Sequence, residues 1–581
     1  MAAASFWYYP KWQKETVEAT ISWDVSGYYW YLPAVFIYDD VKELKWGDEV
    51  RGKYVPTTHD LQSFYHEKSG KRVLKYPAGM AVQYMPFFFA AHALAPTLGY
   101  PADGFSRPYQ FAIQFGSLLF CFVGLWFLRK VLVEYFSDKA VAWLILLYVI
   151  GTNYLNYAAI DTALTHNWLF SWYAILMWLS HRYYAKPAFR TAALIGLTLG
   201  IMGLTRPTEL MAAIIPAAWG LNRFSIADIK ERFQFVWQHK MHYLLAGLFC
   251  GLVGLIQLLY WKHVTGEFFI YAYQDQHISW ENPHLIEYAF HYRSGWLIYT
   301  PMMIFSYLGL VFLVKRKIQI LPVVILMAFS YYVTSAWDIW WYGGRAMIQY
   351  YPIMAFPFLA LLEWIDTKKI LRYAFLAAFA VCAYLNIWWT FHAHTGSLLD
   401  VGNMTKPYYQ RVIGRWEAPE DTRKLLDTDQ IFEGERANIT TVYENDFEQD
   451  STAFTDGPII QGTRSMRLDK DHQYSPKYIF PIQNEPGKWL RVSGTFSIPQ
   501  KEWNFWMMPQ LIVVYTQNGE EVNRSSIRLH RFMHDGQTRS LFVDSQIPEE
   551  KVDAVEIILW NADGHKTTYF DELKAEVFEE K

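Results

Sequence analysis

The sequence predicts two unlike parts: a polytopic α-helical membrane region over residues 1–395 and, after a polar linker over 396–429, an all-β sandwich over 430–581. Three observations carry this. Long apolar runs separated by short polar loops recur up to about residue 395. Beyond about 430 the apolar runs become short and alternating, set apart by turn pairs, as in β-sandwiches. The 26 Trp and 41 Tyr suit residues that sit at bilayer interfaces. Mean hydropathy near zero reflects the averaging of these two parts.

A spanning helix needs roughly 20 mostly apolar residues. The candidates are 109–128, 141–159, 164–181, 191–205, 207–221, 242–261, 296–314, 318–336, 345–364 and 370–391. A further apolar stretch, 77–98, carries Pro77, Pro86, Pro96 and His92, and we read it as non-spanning. Basic residues mark cytoplasmic loops. Arg129 to Lys139, Arg182 to Arg190, Arg223 to Lys240, Lys315 to Lys317 and Lys368-Lys369 then share one face. The opposite, outer face collects 21–76 (within an outer first loop, 13–76), the turn 161–166, Thr205-Arg206-Pro207, the loop 262–295, Trp337 to Arg345, and everything after 395. This topology places the N-terminus outside. Because MAAASFWYYPKW has no basic segment followed by an apolar core, it also predicts a leading helix before Met1.

A net charge of −3 gives no support for nucleic-acid binding. Cys121, Cys250 and Cys382 lie within apolar runs and form neither a disulfide framework nor a metal pattern.

Ionisable groups at membrane depth are costly and suggest function. Asp24, in SWDVSGYYWYLPA, suits a general base, or else a helix cap or solvated loop acid. Lys75, before Tyr76-Pro77, suits a lipid phosphate or simply snorkels to the headgroups. Arg206 and Arg345 match phosphate oxygens, or are satisfied by helix-end carbonyls or by an acid such as Glu209 or Asp338. Asp161, His166, Glu281 and Trp337 are candidates to line a substrate cavity, with a hydrogen-bonded structural His as the alternative for His166.

The ordered segments SWDVSGYYWYLPA, KYPAGMAVQYMPFFFAAH, GTNYLNYAAIDTALTHNW, GLTRPTEL, YRSGWLIYTPMM and WWYGGRAMIQYYP resemble the GT-C superfamily of integral membrane glycosyltransferases. The nearest subgroup holds the protein O-mannosyltransferases and the lipid A aminoarabinose transferase, and the resemblance covers residues 20–365. It implies transfer of a sugar from a polyprenyl-phosphate donor to a glycan, lipid or protein acceptor, with inversion. Asp24 would be the base, and Lys75, Arg206 and Arg345 would hold the donor phosphate. The first loop lacks an acidic pair at Asp24, so no cofactor is expected for transfer. The implied location is a bacterial inner or plasma membrane, in contact with membrane lipids, with the C-terminal domain extracytoplasmic. The competing readings are a transporter or flippase of lipid-linked sugars, and a non-catalytic envelope protein displaying a binding module.

The tail runs KYIFPI, KWLRVSGTFSI, QLIVVYT, SIRLHRF, AVEIILWN and TTYFDELKAEVFE read as strands. Asn518-Gly519, Asp535-Gly536 and Asp563-Gly564 read as turns, and Trp503 and Trp506 suit either core or sugar stacking. VYENDFE and TTYFDELKAEVFE resemble jelly-roll carbohydrate-binding modules, which implies a structural calcium between Glu448 and Asp571, or otherwise two loop or strand-edge acids.

Overall fold

A computed structural model describes the chain except residues 58–61, 224, 275–276, 338–342, 396, 456, 503–504 and 563–565. Asp275, Asp338, Trp340-Trp341-Tyr342, Trp503 and the Asp563-Gly564 turn therefore lie outside the described residues. The chain divides into two compact units, Met1–Gly402 and Asn403–Lys581.

The first unit is helical. Among the described residues four helices are long and apolar enough to cross a membrane: Arg107–Leu132, Lys240–Thr265, Arg345–Asp366 and Lys369–His394. Phe189–Thr205, Pro207–Ala218 and Ile320–Ser335 are shorter apolar helices. Burial separates their roles. The apolar stretch of Arg345–Asp366 is 89% buried and forms the centre of the unit, whereas that of Lys240–Thr265 is 6% buried and faces outward. The 207–221 segment is a 3-10 turn, Pro207–Ala213, followed by the short helix Ile214–Ala218. The 77–98 stretch forms a helix over Gly79–Leu94 with Pro86 inside it, then a 3-10 turn over Pro96–Leu98.

The first loop is ordered. Helices Trp23–Tyr29 and Tyr31–Phe36 meet at Trp30, which is fully buried. A hairpin of β1 (Ser63–His66) and β2 (Lys71–Leu74) then leads into Lys75.

In the second unit β5 (Tyr478–Pro481), β10 (Ala554–Trp560), β7 (Gln510–Gln517) and β8 (Glu520–Arg528) form one antiparallel sheet in that order. The other runs β3 (Arg436–Asn445), β11 (Thr568–Glu580), β6 (Trp489–Ile498) and β9 (Gln537–Gln546), with β4 (Met466–Leu468) also on β11. Alternate residues from both sheets, among them Phe480, Val513, Ile557, Val492, Val543 and Phe570, belong to one apolar core. Asn518 and Gly519 both take positive φ, +53° and +83°, as the tight turn joining β7 to β8 requires. Gly536 takes φ +70° just before β9, in the expected Asp535-Gly536 turn.

The 396–429 stretch, expected as a patternless linker, contains two short helical elements. It carries helix Lys406–Val412, capped by Thr405, and a 3-10 turn over Glu420–Leu426. Asp427 is buried and pairs with Arg528 at 2.6 Å and Arg531 at 3.1 Å. Buried apolar residues, among them Met404, Tyr408, Val412 and Leu425, also hold the stretch; they are too scattered among polar residues to read as a pattern in the sequence.

Candidate functional site

Three close approaches assemble the site, and each uses a glycine from a motif quoted above. A Cβ on Gly27 would stand 2.5 Å from the Tyr76 ring, so only glycine lets Tyr76 lie flat on helix Trp23–Tyr29. A Cβ on Gly79 would stand 2.4 Å from the Thr205 amide nitrogen, which brings Lys75-Tyr76-Pro77 against the end of helix Phe189–Thr205 and hence to Arg206. Gly344 takes φ +58° against Trp296 and turns the chain into Arg345. Neighbours fix these segments: Tyr31 donates to the Tyr76 carbonyl at 2.6 Å, and Gln257 accepts from the Ala78 amide at 2.8 Å. Asn153 donates to the Gly343 carbonyl at 2.8 Å and accepts from Tyr351, also at 2.8 Å.

Asp24 sits in the first turn of its helix but does not cap it. Its Oδ1 accepts from the Tyr76 hydroxyl at 2.9 Å, and its Oδ2 from the Arg345 guanidinium at 2.6 Å, across 321 positions of sequence. Burial pushes the carboxyl up, but Arg345, the Tyr76 hydroxyl and nearby Lys75 outweigh it and hold Asp24 below the usual carboxylate range. It is ionised at neutral pH.

Lys75 lies over the rings of Tyr76 and Tyr273, at 5.7 and 6.0 Å from their centroids. Arg206 is half-buried within electrostatic reach of Glu209, Tyr273 and Tyr28. Tyr28 in turn feels Asp24, Tyr273, Arg345 and Arg206 together. Among the described residues neither Lys75 nor Arg206 makes a side-chain hydrogen bond or ion pair. Trp337 packs on Tyr273 at 5.6 Å, edge to face, which places it at the margin of this aromatic cluster.

His166 is buried and shares a hydrogen bond with Gln349 at 3.1 Å, within electrostatic reach of Arg206 and Arg345. Gln349 continues to Glu209 at 2.6 Å. Glu209, fully buried, also accepts from Tyr173 at 2.8 Å and Tyr350 at 3.0 Å. These donors suit an ionised carboxylate. Glu209 and Tyr76 are the two residues that reading the sequence by type underweights. The signal for each was adjacency, one beside Lys75 and the other three positions after Arg206.

Two cavity candidates lie elsewhere. Asp161 is engaged by Lys11 at 2.8 Å and Asn156 at 3.0 Å; against the rise that burial alone would cause, Lys11, nearby His394 and Asn156 hold its carboxyl down at about 2. It ties the N-terminal segment to the helical unit. Glu281 is exposed on the loop after Lys240–Thr265.

In the second unit Glu448 and Asp571 both face the loop 461–465. Glu448 accepts from the Thr463 amide (2.7 Å), the Thr463 hydroxyl (2.5 Å) and the Arg464 amide (3.1 Å). Asp571 accepts from Ser465 (2.7 Å), the Gln461 amide (3.3 Å) and the Glu572 amide (2.8 Å). Calcium takes six to eight oxygen ligands. Here every carboxylate oxygen already faces an N–H or O–H donor, and among the described residues no group of three metal-ligating side chains forms. This donor set does not fit a calcium ion; it braces a loop.

No family model and no curated protein matches the chain. Among solved structures, a carbohydrate-binding module described as "Family 16 Carbohydrate Binding Module-2" is similar at 13% identity and a TM-score of 0.16, over 21% of this chain and 82% of the module.

Proposed function

We propose that the helical unit is an integral membrane glycosyltransferase of GT-C type, which moves a sugar from a polyprenyl-phosphate donor to an envelope glycan, lipid or protein. The second unit is then a jelly-roll-like β-sandwich on the outer face of the same membrane. The observation that carries the reading is the company Asp24 keeps. Four segments far apart in sequence bring one ionised carboxylate, an arginine bound to it, and two further cations without hydrogen-bond partners among the described residues to one aromatic cluster.

The charges have a use. Lys75, Arg206 and Arg345 against Asp24 and Glu209 leave one positive charge, which is what the phosphodiester of a lipid-linked sugar neutralises. Cations aimed at the departing phosphate stabilise the charge that develops as the C1–O bond breaks. The acceptor hydroxyl attacks C1 from the side opposite the phosphate, its proton passes to Asp24, and polyprenyl phosphate leaves, so configuration inverts. A carboxylate held below its usual range is a weak base, so the proton moves late, once the acceptor oxygen has begun to bond C1. Donor phosphate competes with Asp24 for Arg345, so donor binding frees the base.

The test uses purified full-length protein, a radiolabelled polyprenyl-phosphate sugar and extracted envelope acceptors. Label should pass to an acceptor, and Asp24→Asn should lower transfer by about 10²–10⁴-fold with the folded fraction unchanged. Transfer that survives the substitution removes Asp24 from the mechanism. Lipid crossing the membrane without transfer favours the flippase.

A further inference from the structure

Helix Ile226–Gln238 has no part in the site, and its two faces are unlike. One face docks it. The Phe235 ring lies 5.2 Å from Tyr184, and the Arg232 guanidinium stands 4.0 Å above the Tyr184 ring while donating to the Trp219 carbonyl. At 100° per residue the opposite face gathers Ile226, Ile229, Phe233 and Trp237. These are exposed by 76, 52, 68 and 64%. Four large apolar side chains in an unbroken line pointing away from the protein are not an ordinary water-facing surface.

What covers them is shown by the neighbouring elements. Val236, on the flank of the stripe, opens into a groove of about 580 Å³ lined also by Lys240, Tyr243, Leu244, Gly247 and Leu248. The groove leads onto the outer face of helix Lys240–Thr265, where Leu244, Leu248, Leu252, Leu255 and Leu259 are all exposed. The stripe is thus continuous with the least buried of the span-capable helices. Its other flank is polar, with Lys230, Glu231, Gln234 and Gln238. Trp237 and Lys240 mark the corner, with the lysine 4.9 Å from the ring centroid. Trp and Lys at the end of an apolar helix are what the headgroup level of a bilayer favours. Among the described residues Lys230 and Lys240 make no ion pair, whereas Arg223 is paired with Asp228 at 2.8 Å. Exposed Glu231 offsets Lys230 on the polar flank, which leaves Lys240, at the groove itself, as the positive charge that complements a phosphate.

We propose that helix Ile226–Gln238 lies along the membrane surface, sinking Ile226, Ile229, Phe233 and Trp237 among the lipids, and that a phospholipid occupies the groove with its phosphate at Lys240. Such an in-plane amphipathic helix binds by apolar burial plus attraction to anionic lipid. The inference stands apart from the transferase reading and concerns only where this helix sits.

Spin labels test it on the full chain with its three native cysteines replaced, in vesicles containing phosphatidylglycerol. Labels at 229 and 233 should be several-fold more accessible to oxygen than to a water-soluble nickel chelate, and labels at 231 and 234 the reverse. Equal chelate accessibility at 233 and 234 would overturn the proposal. So would dipolar coupling between labels at 233 on two copies, since a second copy would then cover the stripe. Should the cysteine-free chain not fold, wild-type protein with a phospholipid carrying a photoactivatable acyl chain gives the same answer. Adducts should concentrate on Ile229, Phe233, Trp237 and Leu244, and adducts on Lys240–Thr265 with none on 226–238 would refute it.

Discussion

Asp24 and Asp161 are both half-buried acids of the helical unit, and each is paired with one cation, at 2.6 and 2.8 Å. Their surroundings differ. Lys11 and Asp161 balance each other, and Asn156 takes the second carboxylate oxygen. Around Asp24 the pair with Arg345 stands beside Lys75 and Arg206, two cations that among the described residues make no side-chain hydrogen bond or ion pair. A balanced pair is a brace, whereas a pair with surplus positive charge can exchange partners when an anion arrives. The ion pair alone identifies neither; the charge left over does.

Replacing the cation in each pair should break this comparison most sharply. Arg345→Ala removes a group placed to meet developing charge, so transfer per folded molecule should fall by about 10²–10³-fold. Lys11→Ala should leave transfer within roughly threefold, since the pair touches none of Asp24, Lys75, Arg206 or Arg345, while lowering the melting midpoint. Equal losses of activity from both would mean that the two pairs do the same work.

This contrast also bounds what sequence could reveal. Asp24, Lys75, Arg206 and Arg345 were legible by residue type, because charged residues near long apolar runs are rare and costly. Their convergence was not, since it rests on contacts such as Tyr76 on Gly27 and Gly79 on Thr205 that span distant segments. Asp161 reads as a candidate to line the cavity because its partner, Lys11, lies 150 positions away with no motif around it. Helical segments were legible from apolar runs, yet among the described residues four of the ten expected spans are helices long and apolar enough to cross a membrane, and 141–159 and 296–314 are broken after Gly151 and Tyr299. The strand runs showed in the alternation of β6 and β11, whereas β9, with the polar stretch QTRSLFVDSQ, carries too weak an alternation to stand out. The ordered part of 396–429 was hidden because its helix and 3-10 turn are each only seven residues long, too short for a helical period to show.

Acid should separate the braced pair next. A carboxyl held at about 2 against an ordinary 3.8 contributes stability above the unfolded value, and that contribution is lost as pH falls from about 4 towards 2. At about 1.4 kcal/mol per unit, this comes to roughly 2 kcal/mol. Asp161→Asn should therefore lower the unfolding midpoint at pH 7 and flatten its fall below pH 4, read by thermal unfolding of the solubilised protein. An unchanged slope would show that Asp161 is not the titrating brace. A smaller effect belongs to the free cations. Lys75→Ala and Arg206→Ala should each raise KM for the donor about tenfold, the value of about 1.4 kcal/mol of charge-assisted contact. A fall in kcat at unchanged KM would instead place them in the transition state alone.

The smallest effect comes from extending the comparison to Glu448 and Asp571, which share a loop whose one basic residue, Arg464, meets Glu448 through its amide. Two nearby carboxylates normally call for a metal, but the amides and hydroxyls of residues 461–465 supply the positive ends of dipoles in its place. Calcium at millimolar concentration should then leave the unfolding midpoint of the second unit unmoved. A genuine site at a hundred times its Kd would add about 2.7 kcal/mol and raise the midpoint by roughly 5 °C or more. Glu448→Gln sharpens the test, because a brace weakens on losing its charge whether or not calcium is present, and a metal site weakens only in its presence. A calcium-dependent difference between wild type and that variant would mean that the loop turns its carbonyls towards a bound ion, and the donors seen at these carboxylates would be the resting arrangement of a metal site.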